Sequence, residues 1–348
     1  MFTRRIEGRL AYIFVYVDDL VIATNSVEEM RVVKRELSDK WSMKDLGPLE
    51  SILGIRVIRD RQKRTLTLSQ ERYIDVVLNK FKLQDVRAAK TPLSPGCKLT
   101  KQGCPKTPSE QTLASRQPYR ELVGSWMYLM VCTRPDIAFA ISQLSRYNSN
   151  HGSEHWNALM HVVRYIKGTK GLGITYKGGL LLYPSMFSDA SFASDVDTKK
   201  SVSAFVSYVG GGPVSWKSKV QSTVALSSCE SEYIALCAAA QEAVHLRYLF
   251  LELVPEVNGT PIVVFEDNTS TIEVSKNPVL HEKQKHVDVK YHYVKECVAE
   301  KKILVRYLGT SLMLADLLTK PVQVQTWVDL ISPLVGPVDI NSHTATYK

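Results

Sequence analysis

The sequence predicts an α/β (α+β) chain whose second half is a mixed sheet with flanking helices, and three patterns carry that prediction. Apolar, β-rich stretches at 172–176, 180–187 and 202–209 come first, and strands and helices alternate after them. A long helical pattern at 228–253 puts Tyr233, Leu236, Cys237, Ala240, Val244 and Tyr248 on one face. Ahead of these, residues 1–70 read as strands with one helix, and 71–171 as mostly helix.

In chain order, residues 9–24 alternate and then run apolar, which reads as a buried strand or hairpin broken by Asp18-Asp19. The spacing of Met30, Val33, Leu37 and Trp41 predicts a helix over 27–41. Two short strands, 52–58 and 65–68, flank the polar turn 59–64, and a helix follows over 70–81. The stretch 91–117, rich in Pro, Gly, Lys and Ser, is the linker candidate. Helices over 118–148 and 153–167 succeed it, the second ended by the glycines of KGTKGLG. Further on, Gly210-Gly211-Gly212 separates the strand 202–209 from one through Val214–Trp216. A strand at 262–265 closes on Glu266-Asp267-Asn268 before a short helix, and a strand at 303–308 leads into a helix around 312–318. The expected units are 1–70, 71–171, 172–325 and a tail, 326–348.

Charge divides the chain. The net charge of +9 is concentrated in residues 1–182, which hold 29 basic and 17 acidic residues, against 15 and 18 in the remainder. The first half is suited to polyanions and the second is mildly acidic. No apolar run reaches the roughly 18–20 residues of a membrane span, so no membrane partner is expected. Asp18 and Asp19 stand where a secretory cleavage site would need small residues. Six cysteines without a C-x-x-C pair read as free thiols in a reducing compartment. An intracellular protein, cytoplasmic or nuclear and not secreted, is expected. His151, His155 and His161 lack a completing ligand set and read as packing or surface histidines.

Four acids interrupt apolar patterns. Asp189 sits inside an apolar stretch, Glu232 in the first turns of the long helix, Asp267 at the carboxyl end of a strand, and Asp316 between leucines. Buried carboxylates need a cation, and a set of them that converges suits Mg²⁺ or Mn²⁺ rather than zinc. Two such ions about 4 Å apart support phosphodiester cleavage. The plainer readings stand beside this one. Asp267 is equally placed as a helix N-cap, and Asp316 as a surface residue. Glu230, three residues after Ser227, reads as a capping partner, while Asp195 and Asp197 read as solvated turn residues.

The segments SDASFASDVDTKKSVSAFV, GGPVSWKSKVQSTVALSSCESEYIAL, FEDNTSTI, KHVDVKYHYV and LADLLTKP resemble the ribonuclease H domain of copia-type LTR retrotransposon Pol polyproteins. Upstream, FVYVDDLVIAT resembles the YVDD box of the reverse transcriptase palm in that family, and ILGIRV with LTLSQ its primer-grip hairpin. YRELVGSWMYLMVCTRPDIAFAISQLSRY and HWNALMHVVRYIKGT resemble its thumb and connecting helices. The resemblance covers about residues 2–325. It implies a truncated palm, a helical thumb and connecting region, and a ribonuclease H-like fold over 172–325. It further implies Asp189, Glu232, Asp267 and Asp316 as catalytic ligands of two Mg²⁺ or Mn²⁺ ions. The implied reaction hydrolyses RNA in RNA–DNA hybrids, leaving a 3′-hydroxyl and a 5′-phosphate, with the hybrid read by its shape and 2′-hydroxyls. Lys199, Lys200, Lys217 and Lys219 flank this site, either as phosphate contacts or as exposed turn residues.

Two departures are visible: Asp189-Ala190-Ser191 stands where the family reads D-A-D, and YLGTSLML lacks the histidine that many ribonucleases H carry before the last Asp. His286 and His292 belong to another segment. Asp18 and Asp19 read as a polymerase remnant, since no Asp precedes Asp18. RNA-directed DNA synthesis is expected only if the fingers and another palm Asp are supplied, for which other parts of the polyprotein are candidate partners. The alternative function is an inert remnant that binds nucleic acid through the basic half. A nuclease with another substrate is a third reading.

Overall fold

A computed structural model describes all residues except 181–182, 258, 277–284 and 337–348. Parts of the 180–187 stretch and of the expected tail therefore lie outside the described residues, as does the side chain of His286.

Among the described residues three sheets organise the chain. β1 (Phe2–Ile6), β2 (Arg9–Tyr16) and β3 (Asp19–Thr24) form an antiparallel meander, and α1 (Val27–Ser38) packs on it. β1 had no apolar signal, because FTRRI spends its outward positions on charge. The β2–β3 turn is two residues long, Tyr16 pairing with Asp19. Its Val17 adopts φ 51°, a left-handed conformation that a β-branched residue disfavours. The strand expected to be buried is largely open: Phe14, Val15, Tyr16 and Val17 are 42–82% exposed. Trp41 lies beyond the end of α1 and is exposed, not part of its buried face.

The second sheet contains β4 (Ser51–Ile52), β5 (Ile55–Asp60), β6 (Thr65–Ser69) and β7 (Ile174–Lys177). Although β7 shares its apolar texture with the segments after it, it pairs antiparallel with β6, from Leu68–Ile174 to Thr65–Lys177. Between them in sequence come α2 (Glu71–Lys80), α3 (Pro108–Ser115), α4 (Tyr119–Cys132), α5 (Ala138–Ser145) and α6 (Ser153–Gly168). The linker candidate thus holds a helix, α3, begun by a Thr107–Glu110 capping box, and its Leu93 is buried. The long helix expected over 118–148 breaks at Arg134-Pro135, since proline disfavours helical backbone in the residue before it. Arg134 is fully buried there and forms a forked pair with Asp136, which also accepts the Tyr165 hydroxyl.

The third sheet has the order β10-β9-β8-β11-β12, from β8 (Ser185–Ser191), β9 (Val202–Val209), β10 (Gly212–Val220), β11 (Ile262–Glu266) and β12 (Ile303–Tyr307). β8, β9 and β10 are antiparallel neighbours, and β11 runs parallel to both β8 and β12. This is the expected mixed sheet. Gly210 and Gly211, at φ 57° and 85°, turn the chain between β9 and β10. One face carries α7 (Ser228–Leu253), α8 (Thr269–Lys276) and α9 (Lys285–Ala299), enclosing Met186, Phe205, Val264, Tyr233, Leu236 and Ala240. The other face, with Phe187, Ala204 and Val206, shares one core with α2, α4, α5 and α6. The helical region and the third sheet are therefore fused through apolar packing. α10 (Val324–Leu334) crosses the expected boundary between 325 and the tail and buries Trp327, Leu330 and Leu334 in that same core. The segment 312–318 is not an α-helix but two short 3-10 turns.

By length and composition α7 would be apolar enough to cross a membrane. Here it is the central helix on the sheet, with Tyr233, Leu236, Ala239, Ala240 and Ala243 fully buried. All six cysteines are free.

Candidate active site

The centre of the third sheet supplies the first acid. β8 runs between β9 and β11, and its Asp189 pairs across to Ala204 at 3% exposure. α7 starts at the Ser227 cap, whose side chain accepts the Glu230 N–H at 3.1 Å, and Glu230 in turn accepts the Leu226 N–H. Glu230 is thereby occupied as a capping residue, which leaves Glu232 to face the sheet. β11 ends at Glu266, and Asp267 follows at its carboxyl edge. The N-cap of α8 is Asn268, which accepts the Thr271 N–H at 3.0 Å, so Asp267 is free of that role. The structure brings Asp189, Glu232 and Asp267 together, each offering an oxygen within 4.8 Å of the others. Asp316, on the turn 314–318, is outside that trio but close enough for the charge of Asp189 to act on it.

Hydrogen bonds fix the outer members. The Thr319 hydroxyl donates to Asp189 Oδ2, the Thr310 hydroxyl to Asp267 Oδ2 at 2.6 Å, and Lys320 Nζ lies 3.0 Å from Asp316 Oδ2. Sequence reasoning did not single out Thr319, Thr310 or Lys320, because a polar residue after a helical turn looks like an ordinary cap.

A fifth acid was also missed. Glu266 is wholly buried and its charge acts on Glu232, and its proximity to the obvious candidate Asp267 masked it. Burial raises the Glu232 carboxyl far above the usual range, with Glu266, Asp189 and Asp267 adding to the rise. Glu266 is raised in the same way, burial first, with the Asn268 N–H opposing and Asp267 and Asp189 reinforcing. Asp316 is raised by burial and by Asp189, against the pull of Lys320. For Lys320, burial works against the ammonium, but Asp189, Asp316 and Asp267 outweigh it and raise its pKa.

Glu232 Oε2, Glu266 Oε2 and Asp316 Oδ1 are buried without a hydrogen-bond partner. Such oxygens are expensive to leave unmatched, and an all-carboxylate donor set fits a hard divalent cation. Asp189, Glu232, Asp267 and Asp316 are the residues that could hold Mg²⁺ or Mn²⁺.

Of the flanking lysines, Lys199, Lys217 and Lys219 are exposed, while Lys200 donates to the Ser222 carbonyl at 2.7 Å. Register places Ser218, between Lys217 and Lys219, two strands across from Asp189. Asp195 is not solvated: it is 5% exposed, pairs with Arg146 and accepts from Thr198, and Asp197 accepts the Lys101 N–H. His151 stacks on Tyr119 and His155 on Tyr147, as packing histidines do. Asp18 and Asp19 stand exposed on the β2–β3 hairpin.

Residues 1–95 match the family model of the reverse transcriptase (RNA-dependent DNA polymerase). The chain is 39% identical over 335 residues to the retrovirus-related Pol polyprotein from transposon TNT 1-94 of Nicotiana tabacum, which covers 96% of this chain and 25% of that one. It is 31% identical over 232 residues to a putative transposon Ty5-1 protein of Saccharomyces cerevisiae, covering 66% of this chain and 73% of that one. The foamy viral protease-reverse transcriptase solved with double-stranded DNA aligns over 86% of this chain and 46% of its own, at 16% identity and a TM-score of 0.47, too distant to argue function from. The chain spans about a quarter of the length of the tobacco polyprotein it matches. Likeness at this level along nearly the whole chain places the protein in the family of retrovirus-related Pol polyproteins of copia-type transposons.

Proposed function

We propose that the acidic site is a ribonuclease H centre, which hydrolyses the RNA strand of an RNA–DNA hybrid with two Mg²⁺ or Mn²⁺ ions. The observation that carries the reading is the convergence of Asp189, Glu232 and Asp267 within 4.8 Å, with Asp189 and Glu232 buried and one Glu232 oxygen unmatched. When bound, such a metal pair activates a water and stabilises the leaving oxygen of a phosphodiester. The chain's own part is to hold the ligands still: Thr319 fixes Asp189, Thr310 fixes Asp267, and the sheet and α7 fix Glu232. In this reading the exposed Lys199, Lys217 and Lys219 would meet phosphates of the hybrid. The basic first half would hold further nucleic acid, and other parts of the Pol polyprotein are proposed partners inside the cell. DNA synthesis by this chain alone is outside the reading, because among the described residues no third metal-ligating side chain gathers with Asp18 and Asp19.

The test is cleavage of a labelled RNA–DNA hybrid with Mg²⁺, using Asp189→Asn and Asp267→Asn as controls. Each variant is expected to lose about 100-fold or more in rate, because a metal ligand is removed. Hybrid binding with no cleavage by the wild-type chain would favour the inert-remnant reading, and cleavage of double-stranded DNA the other-nuclease reading.

A further inference from the structure

The residue that stands out is Lys320. It carries the one ammonium paired with a carboxylate of the acidic site among the described residues, at 3.0 Å from Asp316 Oδ2. The charges that act on it are Asp189, Asp316 and Asp267, three of the four proposed ligands. Lys320 also lines a small crevice with Pro92, Phe139, Leu317 and Trp327, and its side chain as a whole is 40% exposed. Carboxylates gathered so closely repel one another, and a positive group paired with one of them relieves that repulsion.

We infer that Lys320 is an internal counter-ion that competes with the divalent metal for Asp316, and so sets how tightly the site binds metal. The inference rests on the proposed two-metal reading and deepens it. An ammonium and a divalent cation cannot both take Asp316 Oδ2 as a close partner without facing each other at short range. Metal taken at Oδ2 displaces the ammonium and metal taken at the unpaired Oδ1 is repelled by it at short range, so in either case the work is subtracted from the metal's affinity. A residue that merely oriented Asp316 would have the opposite sign: its loss would loosen the ligand and weaken binding. Sign alone therefore separates the two roles.

The experiment uses the full chain and Mg²⁺ alone, without nucleic acid. Calorimetry and thermal unfolding across a Mg²⁺ titration compare the wild type with Lys320→Met, which keeps the stem, and Lys320→Arg, which keeps the charge. In EDTA, Lys320→Met is expected to melt below the wild type. With Mg²⁺ it is expected to bind about three- to tenfold tighter, the scale of losing one partly exposed competing charge, and to gain more in Tm at saturation. Lys320→Arg should stay near the wild-type affinity. Equal or weaker Mg²⁺ binding by Lys320→Met overturns the inference.

A measurement on the unmodified chain keeps the idea testable should Lys320→Met not fold. Acetylation of the Lys320 amine, followed by mass spectrometry, should speed up several-fold when Mg²⁺ is added, because the displaced amine is freed; an unchanged or slower rate counts against it. Wild-type protein that shows no Mg²⁺ binding, with Asp189→Asn indistinguishable from it, sinks the metal reading and this inference together. Wild-type binding that Asp189→Asn abolishes but Lys320→Met fails to tighten sinks the inference alone.

Discussion

Glu266 shows at the scale of one side chain how the site holds more acid than its ligands require. It is wholly buried, one of its oxygens has no partner, and burial together with Asp267 and Asp189 keeps it protonated above the usual range. A carboxyl whose folded pKa is raised stabilises the fold fully below its ordinary value, near 4.5, and that contribution is lost as pH climbs through the raised value. Without metal, the wild type is therefore expected to lose stability from about pH 5 upward. Glu266→Gln removes this ionisation and should be more stable than the wild type at pH 8 by on the order of 1–2 kcal/mol, and little changed at pH 5. Urea unfolding in EDTA at both pH values measures it, and an equal effect at both would refute the assignment. Magnesium should reverse the trend, since bound carboxylates must be ionised and metal affinity rises with pH. Asp189, Glu232 and Asp267 were legible in the sequence because each interrupts an apolar pattern or ends a strand. Glu266 was not, since its side is set by the strand's alternation: Ile262, Val264 and Glu266 share the face buried toward α7, and a lone acid in that series reads as the strand's end. Lys320 and Thr319 were hidden for another reason: only the folded turn brings them to Asp316 and Asp189.

Elements, rather than side chains, decide how firmly the site is carried. The break between α4 and α5 is closed by the Arg134–Asp136 pair, with the Tyr165 hydroxyl and the Thr169 carbonyl completing its hydrogen bonds. Both members are fully buried, so the pair is weak as a source of stability but severe to break. Arg134→Met should destabilise the protein by about 3–5 kcal/mol, because Asp136 would be left charged in an apolar interior, and Arg134→Met with Asp136→Leu should recover much of that loss. Equilibrium denaturation of the single and double variants distinguishes this from a simple packing defect, in which the second change would add to the first. The β2–β3 turn invites the opposite kind of change. Val17 is 82% exposed and held at φ 51°. Val17→Gly is expected to gain up to about 1 kcal/mol locally, the difference between left-handed strain and glycine's extra chain entropy. Slower amide exchange across Tyr12–Ala23 would show it; faster exchange would mean that the strain is not borne there. Helix periodicity located α7 to the residue, since its buried stripe is long, whereas α9 left no such mark and entered the sequence reading only through the motif KHVDVKYHYV.

At the scale of the molecule, two arrangements of core lead to different stabilities. The third sheet is packed on both faces, and one of its cores continues into α2, α4, α5, α6 and α10. The first sheet shares neither core. It meets the rest of the chain through an exposed Arg5–Glu256 pair, the Tyr12 hydroxyl on the Leu253 carbonyl and a few further polar contacts. Exposed ion pairs contribute at most about 1 kcal/mol each, so the meander has little to couple it to the remainder. Its own apolar residues, Phe2, Ile6, Phe14, Val15 and Tyr16, are 42–67% exposed. Regions with few buried contacts open at lower free energy than the core around them. Residues 1–38 are therefore expected to be cut by trypsin first, while the helix-bearing stretch 91–117, anchored by Leu93 and by Lys101 on Asp197, resists longer. Mass spectrometry of an early digest checks the order, and early cleavage within 91–117 with the meander intact would show that the shared core ends before α4. The composition had pointed to 91–117 as a linker, because Pro, Gly and Ser signal a loop. What decides the matter is burial of the segment's flanks against α6 and the third sheet, a long-range property that local composition does not carry.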